Sequence, residues 1–327
     1  MNNEVNVITN NNNFNIPILF IIFNRTKTTP MVLESIRQIK PKKIYVAADG
    51  PRENKSGEKE LCEQTRQAVI NGIDWDCEVK KLFRKKNLGC GLGVSTAISW
   101  FFENEEMGII LEDDCLPNQN FFKFCADLLE YYKNDDRIAI ISGNNFQNGQ
   151  KRGDASYYFS YFFSISIWGW ASWRRVWKDF HYKTSELNEA DVIQAIEDMG
   201  LSKKIKEYWK KIFNIMNSDN CIDTWDYQFT FSQWVKKRFS IQPNVNLIKN
   251  LGYLEQGTHE SGEKRWSISH SNLKLPLQYA EDVKVCIKAD KWFCEKYLLL
   301  NTFEWIKYKY NPFRLLKRIK QKILRFK

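Results

Sequence analysis

The chain has 327 residues, 43% hydrophobic and 27% charged, enough for one large α/β domain or two smaller ones with a sizeable core. Its net charge of +10 is uneven: nine Lys and Arg face one acid, Glu304, from residue 301 to 327, so eight of the ten positive charges sit there. A near-neutral body argues against nucleic acid, whose basic footprint would spread over the fold, and no run of 18 apolar residues is present to span a bilayer.

Residues 1–15 are Asn-rich and read as a disordered start. Ile18–Phe23 then reads as a buried strand ending in Asn24-Arg25, followed by a helix from about Pro30 with Val32, Leu33, Ile36 and Ile39 on one side. Ile44–Ala48 is a second strand, ending in Asp49. A helix is expected over Gly57–Asn71, and a strand over Cys77–Phe83 that runs into Arg84 and Asn87. Gly89-Cys90-Gly91-Leu92-Gly93 has the spacing GxGxG, unlike a dinucleotide loop, and reads as a tight turn into a helix whose N-terminus could face a phosphate.

The next strand carries the densest chemistry. Ile109-Ile110-Leu111 ends abruptly in Glu112, Asp113 and Asp114, where alternation would turn Glu112 and Asp114 to one face and Asp113 to the other. Three adjacent carboxylates repel one another and call for a cation or a shared proton. Hard oxygen ligands of this kind suit Mg²⁺ or Mn²⁺ bound with substrate phosphates. A helix over Phe121–Tyr132 and a strand at Ile138–Ser142 complete a βαβ series, which means a parallel sheet with ligands at the strands' carboxyl ends.

Beyond residue 145 the texture changes. Tyr157–Trp177 is crowded with aromatic rings; most are expected in the core, with Trp168 or Trp170 as candidates to present a face to a sugar. Asp223 and Asp226 precede an apolar run, so one is expected to cap a helix, and either suits a catalytic carboxylate. Of three His, His259 in a loop is the candidate ligand. Residues 261–300 read as a variable segment. In residues 312–327, Phe313, Leu316, Ile319, Ile323 and Phe326 share a helical stripe among basic residues, the pattern of a helix lying on anionic lipid. The eight cysteines show no CxxC, and with no secretory pattern at the start they are expected to be reduced thiols in a cytoplasmic protein.

Taken together, Asn24-Arg25, IYVAADGPR, RKKNLGCGLG and IILEDDCLP resemble bacterial nucleotide-diphospho-sugar transferases of the GT-A fold. The likeness is to the family-2-like set and the N-acetylglucosaminyltransferase I type, and it covers Ile18 to His259. The resemblance implies a Rossmann-like α/β domain over 16–260, with a nucleotide-binding half (16–145), an acceptor half (146–260) and a basic C-terminal extension. It implies an inverting, metal-dependent transfer from a nucleotide sugar, UDP-linked by expectation, to a saccharide or lipid-linked acceptor in surface polysaccharide synthesis. Asp114 would bind Mn²⁺ or Mg²⁺ with His259 near the diphosphate, and Glu112 and Asp113 would meet the metal through water, or the ribose and sugar. Asp49 would read the uracil beside Asn24 and Arg25, with Arg84 and Asn87 completing the donor site. Asp226 would be the base, with Asp223 its rival. The enzyme would work at the inner face of the cell membrane. A sugar nucleotidyltransferase, or a membrane-tethered carbohydrate-binding protein without catalysis, are the alternatives.

Overall fold

A computed structural model describes residues 14–163, 167–219, 221–253, 270–298 and 300. The first elements are β1 (Ile18–Ile22), α1 (Thr28–Ile39), β2 (Lys43–Ala48), α2 (Glu58–Gly72), β3 (Glu78–Phe83), α3 (Gly89–Asn104) and β4 (Met107–Glu112). There follow β5 (Cys115–Pro117), α4 (Gln119–Tyr131), β6 (Ile138–Ser142), β7 (Tyr157–Ser160), β8 (Trp170–Trp173) and α5 (Arg174–Trp177). The chain closes with α6 (Glu189–Asp198), α7 (Lys203–Met216), α8 (Asp226–Val235), β9 (Phe239–Pro243), β10 (Ile248–Asn250) and α9 (Ile287–Lys296).

The protein has an α/β fold: a large central sheet, mostly parallel, flanked by helices. Eight strands run in the order β3-β2-β1-β4-β8-β6-β9-β7. β1 pairs in parallel with β2 on one side and β4 on the other, so the strand order reverses direction at β1. Strands such as β1, Ile-Leu-Phe-Ile-Ile, are apolar on both faces and buried because helices cover both sides. β3 is one edge, its Lys80 half exposed and its Lys81 exposed.

Two expectations change. Ile138–Ser142 is a strand, but it does not pair with β4: β8 inserts between them, antiparallel to both. β8 (Trp-Ala-Ser-Trp) is buried along its whole length, which makes it an interior strand of the mixed half. Phe14, inside the stretch expected to be disordered, bridges Pro41 and its ring meets Phe122 edge-on at 5.9 Å.

A single apolar core runs from Phe14 to Leu300, so residues 16–145 and 146–260 share one sheet and one interior. α9, in the stretch that reads as variable, puts Phe293 and Cys294 into that core. Among the described residues no helix is long and apolar enough to cross a membrane. His259 and the basic stretch 301–327 lie outside the described residues.

Candidate active site

The carboxyl ends of β1, β2 and β4 open on a cleft of about 820 Å³, counting its mouth. Seven residues singled out in the sequence, Asn24, Arg25, Asp49, Arg84, Asn87, Glu112 and Asp113, line it together. Their convergence follows from topology, because the reversal of strand order at β1 leaves a crevice between two diverging loops.

The acidic corner is arranged differently from simple alternation. β4 ends at Glu112, so Asp113 and Asp114 lie in a turn, and both face Arg25. Arg25 Nη1 is 2.5 Å from Asp113 Oδ1, and Nη2 is 3.3 Å from Asp114 Oδ2. The amide of Phe23 donates to the other Asp113 oxygen at 2.9 Å. Burial works against the Arg25 charge, but Asp113 and Asp114 override it and hold the guanidinium protonated. Glu112 accepts no side-chain hydrogen bond among the described residues. Burial, and after it the neighbouring Asp114 charge, push its carboxyl up to about 8.

Around this corner the remaining cleft residues are held by local contacts. Asn87 Nδ2 donates to Gly50 O at 2.8 Å, fastening the loop after β3 to the loop after β2. Arg84 lies along the first turns of α3, donating to Gly93 O and Thr96 Oγ1. Asp49 accepts the amides of Leu88 (2.9 Å) and Gly50 (2.9 Å), while burial pushes its carboxyl upward. Three residues that the sequence reading left out also belong here. Glu58, buried at the start of α2, accepts from Asn24 Nδ2 at 3.1 Å and from the Arg52 amide at 2.7 Å, and pairs with the Arg52 guanidinium. Arg52 in turn lies over the Phe23 ring, 5.7 Å from its centroid. An acid in the first turn of a helix looks ordinary in sequence, which hid Glu58.

The N-terminus of α3 was expected to be open to a phosphate. Instead it is closed by the protein's own carboxylate: Asp223 accepts the amides of Cys90 (3.1 Å) and Gly91 (2.8 Å) from 132 residues away in sequence. This explains the GxGxG spacing. Gly89 has φ +80°, and a Cβ on Gly91 would stand 2.7 Å from Asp223 Oδ1 and 2.5 Å from Tyr182 Oη. Gly89 and Gly91 admit Asp223 and Tyr182, while a Cβ on Gly93 would stand 3.0 Å from Asp49 Oδ2.

Asp226, the first residue of α8, is 9% exposed, and Thr224 Oγ1 donates to its carboxylate. Its charge reaches Glu112, so the two carboxylates share one field. Asp223 caps α3 and not its own helix; the residue before α8 is Trp225. Trp225 stacks on Trp170 with ring centroids 5.7 Å apart, and Trp177 and Phe229 pack around Trp170. Trp170 is fully buried, and Trp168 is 5% exposed against Phe146. Neither ring presents a face on which an acceptor sugar could stack, which corrects that assignment: in an eight-stranded sheet covered on both sides, large rings next to the strands fill the core.

The residues fit a divalent cation in a limited way. Both Asp113 oxygens are engaged, and Asp114 is engaged more loosely, by Arg25 Nη2 and by the Cys115 thiol, each at 3.3 Å; Glu112, with no side-chain hydrogen bond among the described residues, and Asp114 are the hard donors whose like charges a cation would relieve. Among the described residues no three His, Cys, Asp or Glu side chains form a metal cluster. Asp114 is held in place by the short antiparallel ribbon of β5 and β10: Leu251 N donates to Asp114 O at 2.7 Å, and a Cβ on Gly252 would stand 2.7 Å from Asp114 Oδ2.

No protein-family model matches the chain, and no curated protein matches it by sequence. Solved structures share parts of its shape at low identity. HddC from Yersinia pseudotuberculosis is 10% identical with a TM-score of 0.31, over 51% of this chain and 81% of its own. S. aureus TarS is 12% identical with a TM-score of 0.34, over 62% and 70% of the two chains. A UDP-glucose pyrophosphorylase complexed with UDP-glucose is 10% identical with a TM-score of 0.36, over 70% and 90%. At such values the likeness says nothing of activity.

Proposed function

We propose that the protein is an inverting glycosyltransferase of the GT-A type, moving a sugar from a nucleotide sugar, with UDP the expected carrier, to a saccharide or lipid-linked saccharide. One observation carries this reading: at the switch point of the sheet, Arg25, Asp49, Glu112 and Asp113 line one cleft, and Asp226, outside that lining, stands within the field of Glu112.

In this reading Asn24, Arg52 and Phe23, fixed by Glu58, hold the nucleoside beside Asp49. Arg25 neutralises Asp113 and Asp114, so that a donor diphosphate can approach a corner that would otherwise repel it. Asp226 takes the proton of the acceptor hydroxyl as the oxygen attacks the anomeric carbon. Thr224 orients that carboxylate at the start of α8. Glu112 and Asp114 would hold Mn²⁺ or Mg²⁺ together with the donor's phosphates, and the ion would supply Lewis-acid stabilisation of the departing diphosphate. Asp223 acts at a distance from the chemistry, anchoring the segment that carries Asp226 to α3.

The test is a panel of nucleotide sugars with Mn²⁺, read as release of free nucleoside diphosphate. Release of UDP from one donor supports transfer. If instead the protein forms pyrophosphate from a nucleoside triphosphate and a sugar phosphate, it is a nucleotidyltransferase; binding of sugars with neither product leaves a carbohydrate-binding protein.

A further inference from the structure

Of the seven large apolar side chains exposed among the described residues, four gather in one part of the fold: Met31, Leu61, Leu88 and Leu92. Met31, Leu61 and Leu92 are the fourth residues of α1, α2 and α3, and Leu88 caps α3. These helices begin where β1, β2 and β3 end, so the four side chains stand at the carboxyl edge onto which the cleft opens. α1 and α2 step outward from β1 to β3, and α3 returns across them to β4. Right-handed crossovers place α3 on the opposite face of the sheet from α1 and α2, so apolar residues stand on both sides of the cleft mouth. An apolar fourth residue ordinarily packs on an apolar residue just ahead of the helix cap. Here those residues are Thr26, Ser56 and Asn87, and no such staple forms. In α4 and α8 the fourth residues, Phe122 and Phe229, are buried in the core, whereas Met31, Leu61 and Leu92 are 49, 40 and 42% exposed. Single exposed leucines call for no account, but a set gathered at one edge marks a surface that meets a partner.

The charge around them is of one dominant sign. The same loops and first turns expose Lys27, Lys55, Lys59, Lys85 and Lys86 against Glu53 and Glu60. The described chain also ends near this edge: the Tyr297 ring is 5.1 Å from Phe146, in the loop after the carboxyl end of β6. The 27 residues beyond Leu300 carry nine Lys and Arg against one acid. We propose that the carboxyl edge is the face by which the protein docks on an anionic membrane surface. Met31, Leu61, Leu88 and Leu92 enter the headgroup boundary, and the lysines beside them meet lipid phosphates. Such docking needs no spanning helix, because buried apolar side chains and basic residues drawn to anionic lipid add to one another. A bilayer is a plane and touches raised points on both sides of a cleft at once, which suits a rim divided by an open mouth. The docking face does not rest on the transferase reading.

The test is co-flotation of the full chain with vesicles of mixed phosphatidylglycerol and phosphatidylcholine, against pure phosphatidylcholine, at low and high salt. Wild type is expected to float with the anionic vesicles at low salt and to be released by salt, which screens the lysines. Met31→Ser, Leu61→Ser, Leu88→Ser and Leu92→Ser combined should lower the partition coefficient about tenfold. Lys85→Gln with Lys86→Gln should lower it about twenty-five-fold, at about fivefold for each basic residue near an anionic surface. Tyr131→Ser, exposed at the other end of α4, is the control and should leave partitioning unchanged. If the fourfold serine variant melts early, Leu88→Ser with Leu92→Ser carries the comparison. Equal partitioning by wild type and variants overturns the face and moves any vesicle binding elsewhere, residues 301–327 included. A wild type that stays off anionic vesicles overturns it as well; if sedimentation then shows a dimer that the serine variant lacks, the rim is an interface between copies. Vesicle binding and nucleotide-sugar turnover are read separately, so either can fail alone.

Discussion

The two ends of the sheet's carboxyl edge are built from different chemistry. Beneath β1, β2 and β4, charge is set against charge: Arg25 with Asp113 and Asp114, Arg52 with Glu58, and Glu112 without a partner among the described residues. Beneath β6 and β9 the loops are tied by neutral amides. Asn145 Nδ2 donates to Pro243 O at 2.7 Å, Asn244 Nδ2 to Ala155 O at 2.8 Å, and Asn246 Nδ2 to Ile248 O at 2.6 Å. Amides hold a loop without creating a field; charged groups are concentrated where a charged ligand would arrive. The contrast separates a scaffold from a site.

The comparison breaks first at Asp226. Asp226→Asn should lower kcat by about 10²–10⁴ while calorimetry shows UDP affinity nearly unchanged; normal turnover would move the base elsewhere. Arg25→Met leaves Asp113 and Asp114 buried without their cation. Urea denaturation at neutral pH should show a loss of about 3 kcal/mol, with donor binding lost too. On the amide side, Asn145→Ala orphans Gln147 N–H and Pro243 O. It should reduce stability by about 1–2 kcal/mol and leave UDP affinity untouched.

Asp290 sharpens the contrast through pH. Fully buried on α9, it accepts from Ser160 Oγ and Tyr161 N, yet burial still pushes its carboxyl up to about 7. The folded chain thus keeps this proton up to near 7, whereas an unfolded carboxyl releases it near 4. Folding takes up a proton between these limits, so this group's contribution to stability falls as pH rises through the window and stays low above it. Asp290→Asn should therefore melt higher than wild type at pH 8, with the gain gone at pH 4. The smallest effect is expected at Asp223. Asp223→Asn weakens the cap on α3 by about 1 kcal/mol and should lower kcat with donor affinity preserved, as a positioning residue would.

Much of this was legible from residue order. Strands such as Ile18–Ile22 and Met107–Glu112 announce themselves because continuous apolar runs ending in polar residues have one home, the interior of a covered parallel sheet. The seven cleft residues followed, since each sits where such a strand ends. Contacts between distant segments were hidden. Nothing near Gly91 signals that Asp223 will cap its helix, and nothing near Asp113 names Arg25, 88 residues earlier, as its partner. The Trp residues misled for a different reason: a ring suited to a sugar is equally suited to a core, and only the insertion of β8 decides between them.

The ribbon of β5 and β10 has a consequence for how the molecule is made. Asp114 is secured by Leu251, whose amide holds its carbonyl, so the corner stays incomplete while the ribosome is still short of that residue. A nascent or truncated chain ending before it would carry the strands and the carboxylates without the brace.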